Sequence, residues 1–147
     1  MYEREIVHDL RETVRMLMRS FGVLERNEAS CCGATLGQCH AIVEIGRAGA
    51  ISLNELAELL KLDNSTMSRT VNNLVEQGYA VREADKEDRR YVKILLTEKG
   101  VSSYKSIEIG MQEYFEEILG AIPEEKHEQV LESLKLLEAA LKGKKCC

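Results

Sequence analysis

The residues with the most evident chemistry are thiols. The chain of 147 residues carries five cysteines: Cys31, Cys32, Cys39, Cys146 and Cys147. Adjacent cysteines close a strained ring with each other, so neither Cys31–Cys32 nor Cys146–Cys147 reads as a structural disulfide. The odd count, and a charged start (Met1 to Glu5) that leads into no apolar signal core, predict a reducing, cytoplasmic setting. Cys31, Cys32 and Cys39 fall within nine residues, with His40 next to them, and together make a soft-ligand cluster. Four readings of it are open. The cysteines can be ordinary small apolar residues, Cys39 above all, since it falls with Ile42, Val43 and Ile45 among the apolar residues of the second helix. They can bind a trivalent metalloid such as arsenite through three thiolates. They can hold Zn²⁺ with His40 as fourth ligand, although the spacing is not that of a zinc knuckle. Or they can form a redox switch through sulfenate and disulfide, helped by a helix N-terminus that acidifies thiols. No cofactor is needed for folding, because a chain of this length buries a core of its own.

A second constellation is a polar helix face. Ser65, Thr66, Ser68, Arg69, Asn72 and Asn73 stand opposite Met67, Val71, Leu74 and Val75. A solvated face is usually rich in Glu and Lys, whereas this one has no acid before Glu76. Side chains of this kind offer the donors and acceptors that read base edges in a major groove. A charged segment follows, with Lys86, Asp88, Arg89 and Arg90. The arginines suit a minor groove or phosphates, and Asp88 suits holding one of them in place. The whole chain has a formal net charge of −5, but residues 64–97 balance at +1, with six bases against five acids. A localised anion-binding surface inside an acidic protein has this signature. A protein-interaction module built on the same scaffold is the competing reading that the net charge keeps open.

Enzymatic chemistry finds little support. His8, His40 and His127 are scattered, and His8 and His127 read as surface residues. There is no Gly-rich phosphate loop and no Ser-His-Asp order. Asp85, Glu87 and Asp88 lack calcium-loop spacing and precede two arginines, so they read as a turn.

These residues need elements to position them. Apolar residues are 44% of the chain and charged residues 31%, an ordinary globular balance with no stretch long and apolar enough to span a bilayer. Ile6, Leu10, Val14, Leu17 and Phe21 recur at helical steps and predict a helix from Tyr2 to about Leu24. A break is expected over 27–37, then a second helix that ends near Gly46 to Gly49. Ser52 and Glu55 form a capping box for a helix over Leu53 to Leu60, with Leu56, Leu59 and Leu60 inward. Asp63 or Asn64 caps the polar-faced helix, which ends at Gly78. Tyr79–Glu83 and Tyr91–Leu96 read as strands of a hairpin. Thr97 caps a long helix to about Ala121, and Pro123 starts a last one to about Lys142, with Val130, Leu134, Leu137 and Leu141 inward. The fold class expected is mainly α with a small β-wing, a winged helix-turn-helix with long terminal helices.

In that order the sequence resembles the MarR family of transcription regulators. The resemblance rests on Ile51-Ser52-Leu53-Asn54-Glu55-Leu56-Ala57, on Asn64 to Leu74 followed by Gly78-Tyr79, and on Asp85-Lys86-Glu87-Asp88-Arg89-Arg90 with Leu96-Thr97-Glu98-Lys99-Gly100. Lys86 departs from the family's frequent Pro. The resemblance implies one domain over 1–147, with dimerisation helices at 1–26 and 98–142, a DNA-binding lobe at 35–97 and a flexible tail at 143–147. It implies a homodimer, most simply a repressor, on a pseudo-palindromic operator in double-stranded DNA. Its effector would be a thiophilic metal, metalloid or oxidant sensed at Cys31, Cys32 and Cys39, with Cys146 and Cys147 contributing across the dimer or as a second pair. The alternative is a small aromatic or anionic ligand in a cleft between the lobes, with structural cysteines; Gln38 aligns with a common Gln there, and Cys39 replaces a frequent aromatic.

Overall fold

The computed structural model describes residues 1–32 and 35–145, with their side chains except at 22–32 and 36. Among the described residues six helices and one hairpin follow in the order α1 (Arg4–Cys32), α2 (Leu36–Ala48), α3 (Leu53–Leu60), α4 (Asn64–Glu76), β1 (Ala80–Ala84), β2 (Val92–Leu96), α5 (Glu98–Gly120) and α6 (His127–Leu141), the last preceded by a 3-10 turn at Glu124–Lys126. The chain divides into two compact units, Met1–Glu108 and Ile109–Cys147, with α5 running through the division. Among the described residues no helix is long and apolar enough to cross a membrane.

The core belongs to the first unit. Ile42 and Ile45 from α2, Leu56 from α3, Met67, Val71 and Leu74 from α4, and Ile94 from β2 are almost wholly removed from water. Burial of each such side chain contributes about 1.5–3 kcal/mol before entropy is counted. Four local devices set the helix ends around it. Thr35 and Gln38 form a reciprocal capping box at the start of α2. The Ser52 hydroxyl accepts the Glu55 N–H at α3, and Asp63 accepts the Thr66 N–H at α4. Gly78, with φ of +81°, turns the chain out of α4 into the hairpin. The strands pair antiparallel in the register Ala80↔Leu96, Arg82↔Ile94 and Ala84↔Val92. Ile51 adds a bridge to Ile94, through N···O distances of 3.1 and 2.7 Å. The winged helix-turn-helix expected from the sequence is thus present.

Four expectations are corrected. The break placed over 27–37 is too early, because α1 runs on to Cys32; Asn27 and Ser30 cost a helix only tenths of a kcal/mol each. Leu59 is exposed, and Ala57 takes its place in the core. Leu134 and Leu141 point away from the protomer's own interior, being 49% and 61% exposed. His127 is half-buried, with Nε2 at 2.8 Å from the Leu119 carbonyl and 2.9 Å from that of Ile122. Both partners are acceptors, so this nitrogen carries a proton and closes the end of α5.

Candidate nucleic-acid interface

The sequence of α4 alternates its two faces at helical spacing. Met67, Val71 and Leu74 are buried, which turns Ser65, Arg69, Asn72 and Asn73 outward as exposed side chains. Ser68 and Thr66 are half-buried at the edges of that face. The Thr66 hydroxyl donates to the second oxygen of Asp63 at 2.8 Å, so its proton is engaged in the cap. Its oxygen lies 3.4 Å from Nη2 of Arg69, which steers the guanidinium along the helix. The backbone and hydroxyl of Thr66 hold the Asp63 carboxyl below its ordinary pKa, with Arg69 adding a smaller attraction.

The hairpin tip is ordered by its own side chains. An Asp85 oxygen accepts the Glu87 N–H at 2.9 Å, and the Tyr91 N–H reaches the Asp88 carbonyl at 3.1 Å. Asp88 then grips Arg90 rather than Arg89. Its oxygens accept Nε at 3.0 Å and Nη2 at 2.8 Å, and also the Arg90 backbone N–H at 3.1 Å. This fork lowers the Asp88 pKa and raises that of Arg90. Arg90 stays exposed while it is held, and Lys86 and Arg89 are exposed beside it. The wing is tied to the lobe below it by Lys93, 3.5 Å from Glu55 of α3.

The other candidate residues lie elsewhere. Cys39 is 2% exposed on the core side of α2, whereas His40, its neighbour, faces solvent. Successive helical residues diverge by about a quarter turn or more, so α2 itself does not converge these two. Among the described residues no three His, Cys, Asp or Glu side chains gather as a metal site. The side chains of Cys31 and Cys32, and Cys146 and Cys147, lie outside the described residues. Gln38 is buried, with Oε1 accepting the Thr35 N–H at 3.0 Å. One residue was missed by sequence reasoning. Arg82 of β1 donates from Nη2 to the Asn72 side-chain oxygen. The available signal was its place as the lone base in the first strand of the hairpin.

The lobe therefore has the architecture of a winged helix-turn-helix protein, with a polar helix and a basic wing on exposed surface. A profile described as MarR family matches residues 33–90. The chain is 26% identical to the HTH-type transcriptional regulator BilQ of Clostridium symbiosum over 117 residues, 80% of this chain and 81% of that protein. The crystal structure of the transcriptional regulator SlyA matches with a TM-score of 0.76 at 26% identity, over 90% of this chain and 94% of that one. FabT of Streptococcus pneumoniae, solved in complex with DNA, matches with a TM-score of 0.81 at 23% identity, over 90% of this chain and 97% of that one. Over residues 33–90 and in its fold the chain is similar to the MarR family. The relatives it matches are named as transcriptional regulators, and FabT was solved with DNA bound.

Proposed function

We propose that this chain is a homodimeric repressor that reads a pseudo-palindromic operator and releases it when an effector engages the cysteines at the α1–α2 junction. The observation that carries the DNA-reading part is the exposed row of Ser65, Arg69, Asn72 and Asn73 on α4, beside an Arg90 already held in place by Asp88. Ser65, Thr66, Ser68, Arg69, Asn72 and Asn73 face base edges in the major groove. Lys86, Arg89 and Arg90 meet the minor groove or phosphates, and Asp88 positions Arg90. The solved FabT complex with DNA supports this use of the fold.

Exposed apolar side chains support the dimer. On α1 they include Ile6, Leu10, Leu17 and Phe21; on α6 they include Leu131, Leu134 and Leu141. Such a quantity of apolar surface on long helices is covered most simply by a second copy. A two-fold dimer places its two reading helices on half-sites about one helical turn apart.

The effector assignment rests on where the thiols fall. Cys31 and Cys32 are the last two residues of α1, and Cys39 lies near the start of α2 with its side chain in the core. In this reading, a thiophilic ligand bound by Cys39 and that pair together shifts α2, which packs on α3 and α4 of the reading lobe. Repression is lost if the ligand favours the shifted state by several kcal/mol, within reach of multiple thiolate bonds to a metalloid or metal or of a disulfide.

The test is a gel shift on the DNA upstream of its own gene, with arsenite, hydrogen peroxide, Zn²⁺ or salicylate added. Release by a thiol reagent, abolished in Cys31→Ser/Cys32→Ser, supports the cysteine site. Release by salicylate alone, equal in that variant, points to a conventional small-molecule cleft with structural cysteines. Binding that does not weaken with salt would favour a protein-interaction module.

A further inference from the structure

The hairpin meets α4 at a place other than its tip. Arg82 lies opposite Ile94 in the hairpin register, and the Ile94 side chain is buried. Cross-strand partners share a face of the ribbon, so Arg82 is on the face turned to the lobe, toward α4. There its Nη2 donates to the side-chain oxygen of Asn72, and both residues remain exposed. The chemistry of this pair fixes the amide. A guanidinium has five donors and no acceptor, so the end of Asn72 that faces it must be the carbonyl oxygen. The free end is then the NH₂ group.

We propose that Arg82 is a positioning residue for specificity: it fixes the Asn72 amide with its NH₂ end outward, so that α4 selects guanine over adenine at the base pair facing Asn72. An unrestrained Asn reads adenine by pairing both amide atoms with N6 and N7. With its oxygen turned to Arg82, Asn72 presents donors, and the guanidinium beside it presents more. Guanine offers two acceptors, O6 and N7, to such a surface, whereas adenine brings its own N6 donor against it. The inference rests on the proposal that α4 is the helix in the major groove.

The experiment is selection from a random-sequence duplex library by the full-length chain, sequenced and compared across wild type, Asn72→Ala, Arg82→Met and Arg82→Ala. Melting curves verify that each variant is folded; the exposed position of Arg82 allows two replacements of different size. The expected result is a guanine preference at one symmetric pair of positions in the wild type, flattened by Asn72→Ala. Both Arg82 variants should shift those same positions toward adenine by about tenfold, and no others. A purely structural or phosphate-binding Arg82 would weaken binding without changing base preference. Unchanged preference in the Arg82 variants, a change at positions that Asn72→Ala does not affect, or adenine preference in the wild type would each overturn the assignment. An unchanged profile in Asn72→Ala would overturn it differently, by removing Asn72 from base reading altogether.

Discussion

The Thr97 hydroxyl donates to the carbonyl of Gly78 at 2.5 Å and accepts the Gly100 N–H at 3.1 Å. One side chain thus joins the turn that ends α4 to the first turn of α5. The Thr97 N–H adds a bond to the Tyr79 carbonyl at 3.0 Å. Lys99 reinforces the joint, with Nζ 2.7 Å from the Gln77 carbonyl and 4.3 Å from the centre of the Tyr79 ring. The start of α5 is therefore bonded directly to the turn that ends the helix proposed to read DNA.

Gly100 shows how tightly this joint is packed. A Cβ at that position would collide with the Tyr79 carbonyl oxygen and lie 3.1 Å from Leu96. The strand and the helix cannot separate without breaking the bonds of Thr97. Gly100→Ala should therefore destabilise the fold by about 1–3 kcal/mol in urea unfolding. Ser102→Ala, on the exposed side of the same helix, should stay within about 0.5 kcal/mol of wild type.

Asp63 gives the fold an acid-sensitive point. Its folded-state pKa is below 3.8, first through the Thr66 backbone N–H and then its hydroxyl. A lowered pKa means that the ionised cap stabilises the fold fully above the unfolded value and loses that contribution as pH falls through the folded one. Asp63→Asn should keep most of the neutral-pH melting temperature, since Asn also caps, and lose less stability than wild type on acidification below about pH 4. Asp63→Ala should melt lower already at neutral pH. Thermal melts across that range distinguish the three proteins.

Arg69 is the strongest single candidate for a base contact, being exposed on α4 and steered by Thr66. Arg69→Ala should weaken specific binding by about 1–3 kcal/mol, measured by fluorescence anisotropy on a selected duplex, and leave binding to unrelated duplex DNA much less affected. Equal losses on both duplexes would make Arg69 a phosphate-binding residue.

The wing pair separates charge from placement. Arg90→Ala should lower the slope of log affinity against log salt by about one unit for each phosphate that the arginine neutralises. Asp88→Ala leaves the arginine in place but frees it from the fork. That variant should bind more weakly than wild type and retain a salt slope at least as steep. Titrations at several salt concentrations give both quantities.

The legible parts of this molecule were local. Ser52 and Asp63 announce α3 and α4 because a capping side chain acts within three residues of itself. The buried row Met67, Val71 and Leu74 announces its own opposite face for the same reason. The Asp88–Arg90 fork is local too, spanning two residues. The missed features depend on chain returning from elsewhere. Arg82 meets Asn72 only because Gly78 reverses the chain and the hairpin register turns Arg82 toward α4. His127 finds the Leu119 and Ile122 carbonyls only because the turn before α6 brings the helices' ends together. Leu134 and Leu141 share the periodicity of core residues yet are exposed in the protomer. A helical stripe shows that a face is to be covered, but not whether by the same chain or another.

The most direct measurement of the central claim is hydroxyl-radical and guanine-methylation footprinting of the protein on the DNA upstream of its own gene, with complex stoichiometry from sedimentation. Two symmetric zones protected in the major groove, centred about one helical turn apart and bound by two chains, are the predicted result. A single unsymmetrical zone bound by one chain, or protection confined to the backbone with no base positions protected, would contradict it.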